Sequence, residues 1–474
     1  MQGTVRRTHF VGIGGTGMCG LAEILLTLRY EVSGSDLTVT TDAVERLERL
    51  GARVFAGHAA EHVRGRDLIV VSSAIREDNP EYREARRLGI PILKRGQMLA
   101  EIMRLKYGIA VSGAHGKTTT TSLIGHLLAG AGLDPTVVVG GRVRSLGSNA
   151  RLGTGDIFVA EADESDGSFL EILPTLAVVT NVDREHLDHY GDLEAIRQAF
   201  LRFMRGVPFY GAAIVCGDDP QLLGLLPDVN RPILTYGAGV DCRVRAEGIV
   251  PQARGSRFRV LAEGRDLGEF SVPVPGRHNV QNALAALSVG LFLGIPADRL
   301  RRDLATFEGV GRRFEMRGEE GGVTHIDDYA HHPTEIAAVL GAAREVFGDR
   351  RLVVLFQPHR YTRTAALGEE FARAFRDADL LALTEIYPAG ERPIPGVSAE
   401  ALAGPIERES GVAVRYAAGA GDATALLPDW LRPGDVLITL GAGSVWQWGD
   451  AILAEIRRRQ GASAAARTGE GLRG

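Results

Sequence analysis

Lysine is almost missing from this chain of 474 residues: only Lys94, Lys106 and Lys117 occur, and 51 of the 54 basic residues are arginine. Any reaction that needs a lysine beyond residue 117 is therefore excluded. Cysteine is just as scarce. Cys19, Cys216 and Cys242 are odd in number and scattered, which argues against a disulfide framework and a thiolate metal site. There is no excess of positive charge either. The net charge of −5 offers no electrostatic pull toward nucleic acid or an anionic membrane. No apolar run reaches the 18 residues a bilayer demands, and no targeting signal precedes the first strand pattern, so a cytoplasmic location is expected. The remaining composition, 45% hydrophobic and 24% charged, is that of a globular protein, and the length predicts about three domains.

The organising stretch is residues 107–122. An apolar, strand-like run ends at Ser112, a small-residue turn crosses Gly113 and Gly116, and a helical pattern begins at Lys117. Backbone N–H groups at such a turn and helix start lack partners inside the helix and carry the positive end of its dipole, so they can cradle phosphate. Lys117 adds a point charge for the β- and γ-phosphates of ATP, and Thr118, followed by Thr119, offers a hydroxyl to Mg²⁺. Val111 stands where the strict G-x-x-x-x-G-K-[ST] pattern has glycine. The loop is thus a short form, G-x-x-G-K-T.

Residues 1–106 open with the strand pattern His9 to Ile13, which contains Gly12 and is followed by glycines at 14, 15, 17 and 20. Gly14, Gly15 and Gly17 permit close approach of a diphosphate, and Asp36, at the end of a second strand about 20 residues on, stands where a dinucleotide fold places a ribose-binding acid. Ser72 and Ser73 follow another strand on the ligand edge, where they fit a ligand contact and a plain surface loop about equally.

Residues 107–312 read as the central domain. Glu161, Asp163, Glu164 and Asp166 lie within six residues at a buried strand's end. Carboxylates so placed are costly unless cations or solvent meet them, and next to an ATP loop they suggest Mg²⁺. His186 and Asp188 follow the strand pattern Ala177 to Val182; the histidine can be a metal ligand, a base or a loop cap. From Ala212 to Gly276 the pattern becomes short β runs, expected to form an antiparallel patch. Asn279 and Asn282 then share a helix face and can pair with an adenine edge, with capping of the helix by Asn279 as the lesser alternative.

Residues 313–460 alternate strand and helix as a second doubly wound α/β domain, with polar clusters at strand ends. One holds Asp328, Tyr329, His331 and His332 before Pro333, which suits a helix's first position. Another holds Arg360 and Arg363, able to clamp a carboxylate by bidentate hydrogen bonds. Residues 461–474 are small, polar and charged, which reads as a disordered tail.

These motifs together resemble the Mur ligase family over nearly the whole chain. The resemblance rests on Gly12 to Met18, Gly113 to Thr119, Glu161 to Asp166, Thr180 to Asp183 with His186, Gly276 to Asn282, Asp327 to Pro333, and Gln357 to Tyr361. It implies an α/β enzyme of three domains: a Rossmann-like N-terminal domain for a UDP-sugar, a central P-loop ATPase domain, and a Rossmann-like C-terminal domain bringing an amino acid. It implies ATP and Mg²⁺, with UDP-N-acetylmuramate and L-alanine as substrates joined through an acyl phosphate. A murein tripeptide as the amine is the alternative. By the same resemblance Lys117, Thr118, Glu161 and His186 serve the phosphates and metal, and Asn279, Asn282, Arg313 and Asp328 serve ATP. Tyr329, His332, Arg360 and Arg363 serve the substrates; the base that deprotonates the amine is left open among His331, His332 and bulk water. Closure of the domains after binding is expected, as is a monomer or homodimer. A carbamoylated lysine, which some family members place about 15 residues after the histidine, is impossible here: that neighbourhood reads Ala199-Phe200-Leu201. A nicotinamide oxidoreductase, suggested by the first glycine loop alone, would leave Lys117, Glu161 and His186 without a role. ATP hydrolysis that merely switches a binding protein is the third reading.

Overall fold

The computed structural model describes residues 5–72, 74–143, 148–252 and 254–470. Three sheets organise them. The chain forms two compact units, one from residues up to Gly248 with 258–271 and 280–310, the other from 249–257, 272–279 and Gly311 onward.

The first sheet is entirely parallel, in the spatial order Arg53–Ala56, Glu31–Asp36, Arg7–Val11, Leu68–Val71, Ile92–Lys94. Chain order reverses between Arg7–Val11 and Leu68–Val71, so the crevice outside their carboxyl ends is where an open α/β sheet receives a ligand. Gly12 and Ser72 lie there side by side: a Cβ on Gly12 would come within 3.0 Å of the Ser72 hydroxyl.

The central sheet has ten strands. Its middle is Ile233–Gly237, Ala212–Cys216, Leu176–Val179, Tyr107–Ser112, Ile157–Glu161 and Thr136–Val143, all parallel in that order, with Ser148–Arg151 antiparallel at one edge. Parallel strands covered on both faces need apolar side chains on both, and Ile109, Ala110, Val111 and Leu176 to Val179 are fully buried. Val111 pairs with Val178 on one side and Glu161 on the other. A glycine there would forfeit the burial of a valine side chain, roughly 1.5–3 kcal/mol, which accounts for the phosphate loop starting only at Gly113. The expected antiparallel patch begins later than Ala212. Ala212–Cys216 and Ile233–Gly237 continue the parallel sheet, and Val244–Gln252 also joins Ile233–Gly237 in parallel. The short runs after it, Gly255–Ala262 and Arg265–Val272, complete that edge.

In the second unit the sheet order is Glu315–Glu320, Val323–Asp328, Val436–Leu440, Leu352–Phe356, Leu380–Leu383, Ala413–Tyr416. Only the first pair is antiparallel. Asp328, Gln357, Thr384 and Gly441 therefore stand at or just past strand ends on one edge. The closing helix runs Val445–Glu470, through most of the stretch in which the sequence suggests a disordered tail; residues 471–474 are outside the described residues.

Candidate active site

Three segments build the site around the phosphate loop, all from carboxyl ends of parallel strands. Strand Tyr107–Ser112 feeds residues 113–116, which lead into the helix Lys117–Gly130. Gly113 and Gly116 take φ of +137° and +81°, and a Cβ on either would strike a neighbour, the Thr180 hydroxyl at 2.0 Å or the Asn282 Oδ1 at 2.5 Å. Glycine is required at both positions for conformation and for space. The loop is clamped from the neighbouring strand: Thr180 Oγ1 donates to His115 O (2.6 Å), Asn181 Oδ1 accepts from His115 N (2.8 Å), and His115 Nε2 meets Asp183 Oδ2 at 2.9 Å.

Lys117 is folded back over its own loop. Its Nζ donates to Gly113 O (2.6 Å), to Ala114 O (3.1 Å) and to Glu164 Oε1 (2.9 Å). Burial alone would favour the neutral amine, but Glu164, Asp163 and Glu161 surround it with negative charge and hold the ammonium above its ordinary range. Thr118 Oγ1 donates to Glu161 Oε2 at 2.9 Å. His186 Nε2 lies 3.5 Å from the same Glu164 oxygen that receives Lys117. His186 has φ of +55°, a left-handed conformation that is uncommon outside glycine and that gathers at functional sites.

The structure thus brings Lys117, Thr118, Glu161 and His186 to one edge, and adds a residue that in the sequence belongs only to a generic acidic loop. Glu164 is 2% exposed, and its Oε2 is buried without a hydrogen-bond partner. A buried carboxylate oxygen in that condition is costly unless a cation or donor arrives. Glu161, Thr118 and Glu164 present hard oxygen donors of the kind Mg²⁺ takes beside phosphate oxygens, so these residues fit the metal that the loop implies. Only burial separates Glu164 from Asp163 and Asp166, and spacing along the chain cannot show it. His115, Thr180 and Asp183 are further supports that lie within the quoted motifs but receive no role from them; the signal for that role is their position at strand ends next to the loop.

The other expected residues fall as follows. Thr119 is buried in the helix's first turn. Asn282 lies over Gly116 and accepts from Thr120 Oγ1 at 3.1 Å, whereas Asn279 turns its amide back to Pro275 O at 2.6 Å, near the start of the helix Arg277–Phe292. In the first sheet's crevice Gly14 N donates to Asp36 Oδ2 (2.8 Å), Gly15 N to Gly12 O (3.2 Å), and Gly17 lies against the Arg95 side chain. Arg95 reaches on toward the acidic loop, with Nη2 3.6 Å from Asp163 Oδ2. Ser73 and the side chain of Asp188 are outside the described residues.

In the second unit Asp328 is buried and accepts from Phe314 N (2.7 Å) and Ala330 N (2.8 Å). Burial pushes its carboxyl up to about 6, although Arg313 and those two amides oppose the rise. The Arg313 guanidinium lies 5.3 Å from the Tyr329 ring centre. His332 caps the helix Pro333–Phe347, its Nδ1 accepting from Thr334 N at 3.3 Å. The adjacent His331 faces differently, with Nδ1 3.0 Å from Tyr329 O and 3.4 Å from Glu335 Oε2. Arg360 holds φ of +70° and donates its amide to Tyr387 O (2.9 Å). Arg363 bends back to His359, Nη1 donating to its carbonyl at 3.3 Å.

Comparison with known proteins matches the chain to three successive family models: Mur ligase family, catalytic domain, over residues 7–107; Mur ligase middle domain over 111–290; and Mur ligase, glutamate ligase domain, over 312–443. The chain belongs to the Mur ligase family. It is 56% identical over 453 residues to a UDP-N-acetylmuramate–L-alanine ligase of Oleidesulfovibrio alaskensis, covering 96% of this chain and 99% of that protein. A protein of the same name from Sorangium cellulosum is 55% identical, with 94% and 95% covered. Among solved structures, the UDP-N-acetylmuramate–alanine ligase of Thermotoga maritima superposes with a TM-score of 0.79 at 30% identity, covering 96% of this chain and 99% of that one. A murein peptide ligase of Psychrobacter arcticus gives 0.68 at 25% identity, with 95% and 99% covered. This Mur ligase has, among its described residues, no helix long and apolar enough to cross a membrane.

Proposed function

We propose that this Mur ligase joins L-alanine to the lactyl carboxylate of UDP-N-acetylmuramate, converting ATP to ADP and phosphate. The observation that carries the reading is the arrangement of Lys117, Thr118, Glu161, Glu164 and His186 around one phosphate loop. The muramate carboxylate attacks the γ-phosphorus of ATP, the bond to the β-phosphate oxygen breaks, and ADP leaves. The alanine amine then attacks the resulting acyl phosphate through a tetrahedral adduct, phosphate departs with the bonding electrons, and the amine's proton passes to a base. Such steps are governed by position and charge neutralisation more than by covalent help from the protein.

Lys117 exchanges Glu164 and its two loop carbonyls for phosphate oxygens. Thr118, Glu161 and His186, with Glu164, would hold Mg²⁺, which when bound would screen the repulsion between phosphate and incoming carboxylate. Asn282, Asn279, Asp328 and Arg313 serve ATP, and Gly14, Gly15, Gly17 and Ser72 border the crevice that takes the UDP-sugar. Arg360, with Tyr329 and Arg363, takes the amino acid's carboxylate. If Nδ1–H of His331 donates to Tyr329 O, Nε2 is its acceptor nitrogen, and Glu335 beside Nδ1 stabilises the imidazolium that forms on taking the amine's proton. A location in the cytoplasm, where ATP is supplied, belongs to the same reading.

The 55–56% identity over nearly the whole chain to proteins named UDP-N-acetylmuramate–L-alanine ligase favours alanine over a tripeptide. Hydroxylamine trapping tests the chemistry. With ATP, Mg²⁺ and UDP-N-acetylmuramate but no amino acid, a hydroxamate of the sugar acid is expected; ADP production without hydroxamate would overturn the acyl phosphate route.

A further inference from the structure

Parallel sheets covered on both faces are ordinarily apolar throughout, yet one face of the first sheet buries a polar group that includes His9, Ser33, Ser35 and Glu81. His9 and Ser33 are paired neighbours on adjacent strands, and Ser35 shares the face of Ser33 two residues on. Glu81, in the first turn of the helix Pro80–Leu88, faces them and is fully buried. Its Oε2 accepts from Ser35 Oγ at 2.6 Å and lies 3.3 Å from His58 Nδ1. Its Oε1 lies 2.7 Å from His62 Nδ1, 3.3 Å from Ala59 N and 3.6 Å from His9 Nε2. Burial would raise this carboxyl, but hydrogen bonds from Ser35 and His62, with the His9 ring close by, outweigh it and hold the group at about 2. Glu81 is therefore an ionised hub inside the domain. The reaction itself does not use it.

Ser35 connects the hub to the ligand crevice. Its carbonyl accepts from Gly12 N (2.8 Å) and Ile13 N (3.0 Å), and the next residue, Asp36, accepts from Gly14 N (2.8 Å). Three consecutive amides of the glycine loop thus hang on the dipeptide Ser35-Asp36. The sequence pattern offers Asp36 a ribose, whereas here its carboxylate also accepts from Thr38 N at 3.1 Å and pins the loop.

We infer that Glu81 is a positioning residue for the UDP-sugar: acting through Ser35, it fixes the strand end from which the glycine loop hangs. This rests on the reading that the loop borders the UDP-sugar site. A preorganised loop binds its ligand without the cost of first ordering itself, so weakening the hub lowers affinity for the sugar nucleotide and leaves the ATP and alanine steps alone.

The test compares Glu81→Gln and Ser35→Ala with the wild type, measuring Kd for UDP-N-acetylmuramate by calorimetry and kcat and KM for each substrate. Glu81→Gln keeps the side chain's shape but replaces one acceptor oxygen with a donor; Ser35→Ala removes the link and spares the carboxylate's contacts with the histidines. For both, Kd and KM for the sugar nucleotide are expected to rise on the order of tenfold, with kcat and the ATP and alanine KM values within about twofold. A fall in kcat with unchanged KM values would mean lost folded enzyme and would overturn the inference, as would wild-type affinity in Ser35→Ala. Should Glu81→Gln fail to fold, Ser35→Ala alone decides. Absence of UDP-N-acetylmuramate binding by the wild type would overturn the site reading itself, and the inference with it.

Discussion

Lys117 Nζ and Glu164 Oε1 are 2.9 Å apart, and the same carboxylate oxygen stands 3.5 Å from His186 Nε2. The loop lysine is thus held by an acid from the neighbouring strand's loop, a partner that phosphate can replace. Removing one partner of a buried ion pair strands the other, at about 3–5 kcal/mol. Glu164→Ala should therefore lower the stability of the ligand-free enzyme by about 3 kcal/mol, and ATP with Mg²⁺ should raise the variant's Tm more than the wild type's, since phosphate supplies the missing charge. Equal ATP-induced shifts in the two proteins would show that lysine does not exchange one partner for the other.

Lys117→Ala removes a contact made mainly as charge develops on the transferring phosphoryl group. A loss in kcat of about 10²-fold or more is expected, measured by coupled ADP release at saturating substrates. Activity within a few-fold of wild type would refute the assignment of the loop.

Glu161 receives the Thr118 hydroxyl at 2.9 Å, so it governs both a metal ligand and its neighbour's orientation. Chelation of Mg²⁺ should abolish ADP release, and Glu161→Gln should raise the Mg²⁺ concentration for half-maximal rate by at least about tenfold. An unchanged Mg²⁺ titration would place the metal elsewhere.

Arg360 sits at a strained φ of +70° just past a strand end, a conformation retained where the surroundings demand it. Arg360→Ala is expected to raise the KM for alanine most, by about 10–100-fold for a lost charge-assisted pair. An effect confined to the ATP KM would contradict that place for the amino acid.

Asp328 gives a pH signature. Its folded pKa of about 6 lies above the ordinary 3.8, so the folded state binds more protons than the unfolded chain between those values, and stability contributed by this group falls as pH rises through that window. Asp328→Asn should remove this fall, so that the variant loses less stability than the wild type between about pH 4 and pH 6 in denaturant titrations. Parallel pH dependences would show that burial does not hold the carboxyl neutral.

Much of the site is legible in the chain because its chemistry is local. Gly113, Gly116, Lys117 and Thr118 lie close together in sequence, and a strand ending before them with a helix starting after them suffices to aim the amides. Glu161 and His186 are legible as strand-end residues of the same domain. Glu164 is not, because the carboxylates of residues 161–166 look alike until the fold buries one of them beneath Lys117. Asp36 stands where the pattern puts it, and the fold adds a contact the pattern does not show: its carboxylate accepts from the Gly14 amide. The strands from Ala212 to Gly237 read as an antiparallel patch because their runs are short, yet their buried apolar residues extend the parallel sheet. The Glu81 hub leaves no trace in the sequence, since its contributors are spread from His9 to Glu81 and meet only when the strands pair.

The substrate panel tests the central claim most directly. With ATP, Mg²⁺ and UDP-N-acetylmuramate present, product mass and phosphate release are measured with L-alanine and, separately, with the murein tripeptide. L-Alanine should give stoichiometric phosphate and a product heavier by one alanyl residue, and the tripeptide should give neither. Ligation of the tripeptide with no reaction of alanine would contradict the account.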